Sequence, residues 1–299
     1  MKSISVQAEN KINLVGTLLD VTFGEGKLSD GRHYERATAT VRVTQTYGGK
    51  QETSEIPVGM FATDFTSTGK PNPAMKSLHD LKLMKTAQND GLANATKVRL
   101  SGISLQENNF VSRNGQLING WQLRGSFVNE AKVSDVASFV TEVFIMDMHD
   151  ETDREGTPTG RMVLRGGIVQ YGGRLDIVNF IVEAPDAVEY ISRNWEAQQT
   201  VVVKGRIRVT SEEAEVESSG WGEEVPETTT RYIRELIITT GDDPKEEDFA
   251  YDPAEIKKAF NERKAAIEQM QENARAHAPK QGAGSANAPS TTANKYSWE

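Results

Sequence analysis

No cysteine occurs among the 299 residues of the chain. That absence excludes a disulfide framework, a thiolate zinc site and a cysteine nucleophile. Long apolar runs are missing too: no stretch approaches the roughly 18 apolar residues of a membrane span, and Met1 to Lys11 lacks the apolar core of a secretion signal. A soluble, cytoplasmic protein with no membrane association is the expectation. Histidine is scarce, and His33, His79, His149 and His277 each fall in a different stretch without an evident triad partner. No phosphate loop of the Walker type is present, because Gly166-Gly167 and Gly172-Gly173 lack both its spacing and its Lys-Ser/Thr ending. The run Asp147, His149, Asp150, Glu151 and Asp153 matches no calcium-loop or zinc spacing. It reads as a solvated loop rather than the metal centre of a hydrolase. The chain is therefore expected to be no enzyme and to need no cofactor.

Acid is in excess overall, with a net charge of -9, but it is unevenly placed. Residues 1–132 carry 16 Lys and Arg against 12 Asp and Glu, while residues 133–241 carry 10 against 20 and residues 242–299 carry 8 against 11. Much of the acid lies in two loop-like stretches, Asp147 to Glu155 and Glu212 to Glu227. Local basic faces, and hence an anionic partner, are compatible with this distribution.

The pattern that organises the chain is a turn that occurs twice, Tyr47-Gly48-Gly49-Lys50 and Tyr171-Gly172-Gly173-Arg174. Each copy stands between alternating runs, and a glycine pair there signals a β-hairpin, whose tight turn needs positive φ. The first half reads as strands at Asn13 to Phe23, Ala37 to Thr46 and Glu55 to Ala62, with a helix over Ala74 to Ala87. Strands at Lys97 to Gln106 and Trp121 to Asn129 follow. The second half repeats the order: Ser138 to Met148, Arg161 to Gln170, Arg174 to Glu183, a helix from Pro185 to Trp195, Thr200 to Thr210 and Arg231 to Thr240. The fourth strands match in detail, Val98-x-Leu100-x-Gly102 against Val201-x-Val203-x-Gly205, with a glycine where a sharply curved strand needs a kink. Beyond Thr240 an acidic linker leads to a helix from Pro253 to Ala278 with an incomplete apolar stripe, Ile256, Phe260, Ile267, Met270 and Ala274. From Pro279 the composition is that of a disordered tail.

Five strands with a helix between the third and fourth, twice over, resembles two tandem oligonucleotide/oligosaccharide-binding (OB) barrels. The predicted fold is thus mainly β. The first OB-like domain spans 1–132 and the second 133–241; an acidic linker with an amphipathic helix spans 242–278, and the tail 279–299. The plan is similar to the single-stranded DNA-binding proteins that bacteriophages encode for replication and recombination. The resemblance implies sequence-tolerant binding of single-stranded DNA, with cations on the phosphates and rings on the bases.

The candidate contacts are Arg42, Tyr47, Lys50, Arg99, Arg113 and Arg124 in the first domain, with Phe61 and Trp121 as further rings. In the second they are Arg161, Arg165, Tyr171, Arg174 and the alternating stripe Lys204, Arg206 and Arg208, with Phe180, Arg231, Tyr232 and Arg234 behind them. The stripe alternates with Val203, Gly205, Ile207 and Val209, so its cations are expected to face away from their own core. Trp121 shares parity with Leu123 and Phe127, which favours core packing. By the same resemblance the tip at Trp298 and Glu299 would dock replication or recombination partners, and the helix at 253–278 would serve oligomerisation. The rival reading is a structural or assembly protein, such as a virion component, whose β-domains make protein contacts.

Overall fold

The computed structural model describes residues 1–112, 115–153, 155–216 and 227–277. Strands dominate. In chain order they and the helices are β1 (Asn10–Lys27), β2 (His33–Tyr47), β3 (Lys50–Thr63), α1 (Pro73–Lys82), α2 (Ala87–Asp90), β4 (Lys97–Ser101), β5 (Ser104–Glu107), β6 (Phe110–Val111), β7 (Leu117–Ile118), β8 (Trp121–Gly125) and β9 (Phe127–Glu130). Then come β10 (Val136–Thr152), β11 (Pro158–Val169), β12 (Leu175–Val182), α3 (Pro185–Asn194), β13 (Thr200–Val216), β14 (Glu227–Gly241) and α4 (Pro253–His277). Among the described residues no helix is long and apolar enough to cross a membrane.

The strands pair in two circuits. In the second unit β10 pairs β11, β11 pairs β12, β12 runs parallel to β14, β14 pairs β13, and β13 returns to β10. The first unit follows the same path from β1 through β2 and β3 to β8, again with a parallel step, but its last two strands are broken. The fourth splits into β4 and β5 at Gly102, where φ is +62°, and the fifth splits into β8 and β9 at Ser126. Both halves still pair, β5 with β8 and β4 with β9, and β4 closes onto β1. The interior of each circuit is lined by the alternate residues that the sequence pattern marks, Ala37, Ala39, Val41 and Val43 in β2 and Val203, Ile207 and Val209 in β13.

Several boundaries differ from the sequence expectation. β10 runs on to Thr152, so Asp147, His149 and Asp150 lie in a strand paired with β11 rather than in a loop. β13 and β14 form one long hairpin in which Ser211 to Val216 pair with Glu227 to Tyr232, so the acidic stretch at Glu212 begins and ends in a ladder. The predicted helix at 74–87 stops at Lys82, with the short α2 following, and a small hairpin of β6 and β7 occupies the Asn-Gly connection. The expected tail at 279–299 lies outside the described residues.

No free linker separates the two units. β1 pairs β10 antiparallel over Asn10–Val15 and Val136–Thr141, which makes one continuous sheet of both circuits. The connection before β10 is pinned as well: Asp135 accepts a bond from the Thr44 amide at 2.9 Å and pairs with Lys97 at 2.6 Å. The first residues cross to the segment 250–255. Lys2 donates its amide to Ala250, and the Ser3 hydroxyl and Ile4 amide bond the Glu255 carboxylate.

Glu142 sits at that crossing, 1% exposed, with Lys2 Nζ and Lys245 Nζ each 2.6 Å from its carboxylate and the Tyr251 hydroxyl at 3.4 Å. Burial by itself pushes the carboxyl up, but the two ammonium groups outweigh it and hold Glu142 below its ordinary value. A depressed carboxylate gives stability that is complete above the unfolded value of about 4.3 and is lost as pH falls through the lower folded value. Denaturant midpoints measured down to pH 3 are therefore expected to fall less steeply for Glu142→Gln than for the wild type. Parallel acid limbs would refute this.

Candidate functional site

Strand alternation puts one row of each strand inside a circuit and the next outside, so the chemistry available to a partner is that of the outward rows. On β2 that row is Tyr34, Arg36, Thr38, Thr40 and Arg42, and on β3 it is Glu55, Pro57, Gly59 and Phe61. Arg36 lies opposite Phe61 in the ladder, and the Phe61 ring, 48% exposed, is 5.2 Å from that of Tyr34 at an interplanar angle of 32°. Glycines clear the ground beside them. A Cβ at Gly24 would come within 2.9 Å of the Arg36 Nε, one at Gly26 within 2.7 Å of the Tyr34 hydroxyl, and one at Gly59 within 3.1 Å of the Arg124 guanidinium. Two aromatic rings and two guanidinium groups thus share one open sheet face.

That face continues across β3 onto β8. A shallow pocket of about 50 Å³ is lined by Thr38, Pro57, Gly59, Asn108, Gln122 and Arg234 among others. Arg234 comes from β14 of the second unit and places its guanidinium 4.6 Å from the Trp121 ring centre. Arg124 is half-buried, and loss of water pulls its guanidinium below the usual arginine value.

The sequence candidates separate into groups. Phe61, Arg124, Arg234 and Arg42 belong to that face, where Arg42 pairs with Glu55 at 2.8 Å and Arg234 lies over Trp121. Lys50 at the hairpin tip and Arg99 on β4 are exposed away from it. Trp121 is 7% exposed and Phe180 fully buried, both in the core, so neither offers a free ring. Arg113, Trp298 and Glu299 lie outside the described residues, as does the side chain of Arg231. Tyr34 and Arg36 are the residues that sequence reasoning missed. Reading β2 from Ala37 cut them off, although they continue the Thr38–Arg42 parity by two further steps.

The basic stripe on β13 is a correction. Its cations do face away from their own core, but what lies outside Arg206 and Arg208 is the first unit, while Lys204 stays partly exposed. Arg206 is 6% exposed and forks between Glu52 of β3, at 2.6 Å, and Glu183 of the second unit, at 2.5 Å, with the Tyr47 ring 4.3 Å from its guanidinium carbon. Arg208 pairs with Glu235 and approaches Glu183 and Glu52, and Lys204 pairs with Asp242 at 2.6 Å. Next to them the Val209 amide bonds the Ser54 hydroxyl of β3 at 3.2 Å. Tyr47, Arg206 and Arg208 are thus spent on the seam between units. Burial opposes the charge of Arg206, while Glu52 and Glu183 more than restore it. Arg206→Ala is expected to cost about 3 kcal/mol, the typical loss on breaking a buried pair from one side. A denaturant midpoint unchanged within error would contradict that role.

In the second unit Arg161 is held by Glu151 and Glu235, and Arg174 by Asp176. Burial pushes the Asp176 carboxyl up and Arg174 offsets part of the rise. Arg165 lies 6.0 Å from the Phe260 ring of α4. Tyr171, on a single 3₁₀ turn with Gly172 at φ 76°, is 89% exposed and has no part in a seam like that of Tyr47. The two copies of the turn therefore do different work.

Metal binding is a further possibility that the geometry addresses. The Asp147 to Asp153 run forms no convergent set among the described residues; Asp147 bonds His149 at 3.1 Å along the strand. Glu25, His33 and Glu35 do bring their ligand atoms within 4.8 Å of one another. There, however, Lys82 Nζ is already 2.7 Å from Glu35 and His33 is turned onto Asp64 at 3.0 Å, so a resident side-chain cation supplies the positive charge.

Known structures show this architecture elsewhere. The wild-type single-stranded DNA binding protein from Thermus aquaticus matches with a TM-score of 0.51 at 11% identity, covering 81% of this chain and 95% of that one. A deletion mutant of the same protein matches with a TM-score of 0.49 at 13% identity, covering 81% and 97%. At 11% identity the likeness to the wild-type protein is one of fold, and it places this chain in a mainly β, OB-like class. The chain belongs to the YorF family, whose model matches residues 8–273. No curated protein matches it in sequence.

Proposed function

We propose that this protein is a non-enzymatic single-stranded DNA-binding protein, that its two circuits are OB barrels, and that the outer face of β2, β3 and β8 is the binding surface. The observation that carries the reading is the pair of exposed Phe61 and half-buried Tyr34 rings, flanked by Arg36 and Arg124 on a sheet face cleared by Gly24, Gly26 and Gly59. Unstacked bases offer flat rings to stack on, and the phosphates between them meet guanidinium groups. OB barrels receive their ligand on this strand 2–3 face. A duplex, whose rings are stacked inside, cannot use the aromatic pair. A role in phage replication or recombination is part of the proposal.

The test is fluorescence anisotropy with a labelled oligothymidine and its duplex across a salt series. Binding is expected to favour the single strand and to weaken linearly in log[salt], with a slope of roughly -0.7 for each phosphate neutralised. Arg36→Ala should reduce that slope by about one such step. No binding at low salt, or a preference for duplex, overturns the reading.

A further inference from the structure

Duplication would be expected to give two equivalent DNA faces, but the outward row of β12, the counterpart of β3, is differently made. Ile177 and Ile181 are 8% and 9% exposed, and Val163 beside them on β11 is 9% exposed; of that row on β12 only Asn179 stands open. Part of the cover is the chain's own α4, which lies against β12 and buries Ile256 and Ala259. Its Phe260 sets a ring over Arg165, and its Arg263 pairs with Glu107, the carboxylate that also accepts the Ile177 amide at 3.2 Å. Next to Ile181 along the same outward rows stand Glu183, Arg161 and Glu235, ion-paired with one another through Arg208. A ring on a guanidinium is what a stacked base would supply, and here α4 supplies it internally.

Resting on the single-stranded DNA reading, we infer that the two units have divided the work: among the described residues the first carries the nucleic-acid platform, and the matching face of the second is the seat of α4. One protomer then covers the stretch of strand served by a single barrel, and the exposed Tyr171 and Arg174 are outside it.

The absence of native cysteine allows a direct test. Single thiols are introduced by Phe61→Cys, Ile177→Cys and Ile181→Cys, and their rates of reaction with a maleimide are compared with and without oligothymidine. Phe61→Cys is expected to react at least tenfold faster than either isoleucine variant, and DNA should slow only Phe61→Cys. Fast labelling of both isoleucine variants, with circular dichroism showing an intact fold, would overturn the inference whether or not DNA binds. In anisotropy, Tyr171→Ala combined with Arg174→Ala should change affinity less than twofold. A loss of tenfold or more there would establish a second platform. A wild type that binds no single strand at low salt fails the earlier proposal, while the thiol comparison still decides whether the second face is closed.

Discussion

Gly205→Ala is expected to yield a chain that does not fold, a loss of about 4 kcal/mol or more. A Cβ at this position would lie 1.9 Å from the Ile237 carbonyl oxygen and 2.6 Å from the Phe139 ring. Both obstacles are fixed. Phe139 is at the centre of the second unit against Phe180, and Ile237 is a fully buried residue of the neighbouring strand. The ladder shifts register between Lys204 and Gly205, so the two backbones come closest where no side chain stands between them. Gly102, its partner in the sequence repeat, needs glycine for another reason, since its φ of +62° breaks the strand while the nearest atom to an added Cβ is a serine side chain at 3.2 Å. Gly102→Ala should therefore cost only on the order of 1 kcal/mol. Soluble yield and denaturant midpoints compare the two; equal losses would show that the duplicated glycines act alike.

Replacing Tyr34 and Phe61 together by alanine is expected to weaken binding of single-stranded DNA by about 2–4 kcal/mol, on the order of 30- to 1000-fold. The rings touch each other at 5.2 Å, so the double loss should be smaller than the sum of the single ones. Stability should change little, because Phe61 is half exposed and its removal opens no core cavity. The expected signature is lost affinity with an unchanged midpoint and an unchanged salt slope, since the guanidinium groups proposed to meet the phosphates remain. An affinity within threefold of the wild type would leave the pair as surface packing.

How much of this was legible in the sequence depends on what period-two alternation can report. It separates the two sides of one strand, and so it sorted Ala37, Ala39, Val41 and Val43 inward and Arg42 outward. It does not say what waits on the outer side. For Arg206 that is Glu52, more than 150 positions away along the chain, and only packing of the two units brings them together. The repeated Tyr-Gly-Gly-basic turn located the strand 2–3 hairpin in each half. The turns themselves diverge because Tyr47 has a neighbouring unit to lean on and Tyr171 does not. Tyr34 and Arg36 were within reach of the same alternation, but Ala37 looked like a strand start because it opens the aliphatic series.

The crossing of the N-terminal residues to Ala250 and Glu255 also bears on the order of events at the ribosome. Lys2, Ser3 and Ile4 are synthesised well before their partners, which emerge about 250 residues later. β1 likewise waits for β10 before its outer edge is covered. At roughly 5–20 residues per second, the opening segment is without its native contacts for tens of seconds. Pairings so remote in sequence slow folding, and they make the contacts of Lys2 to Ile4 with Ala250 and Glu255 among the last that can form.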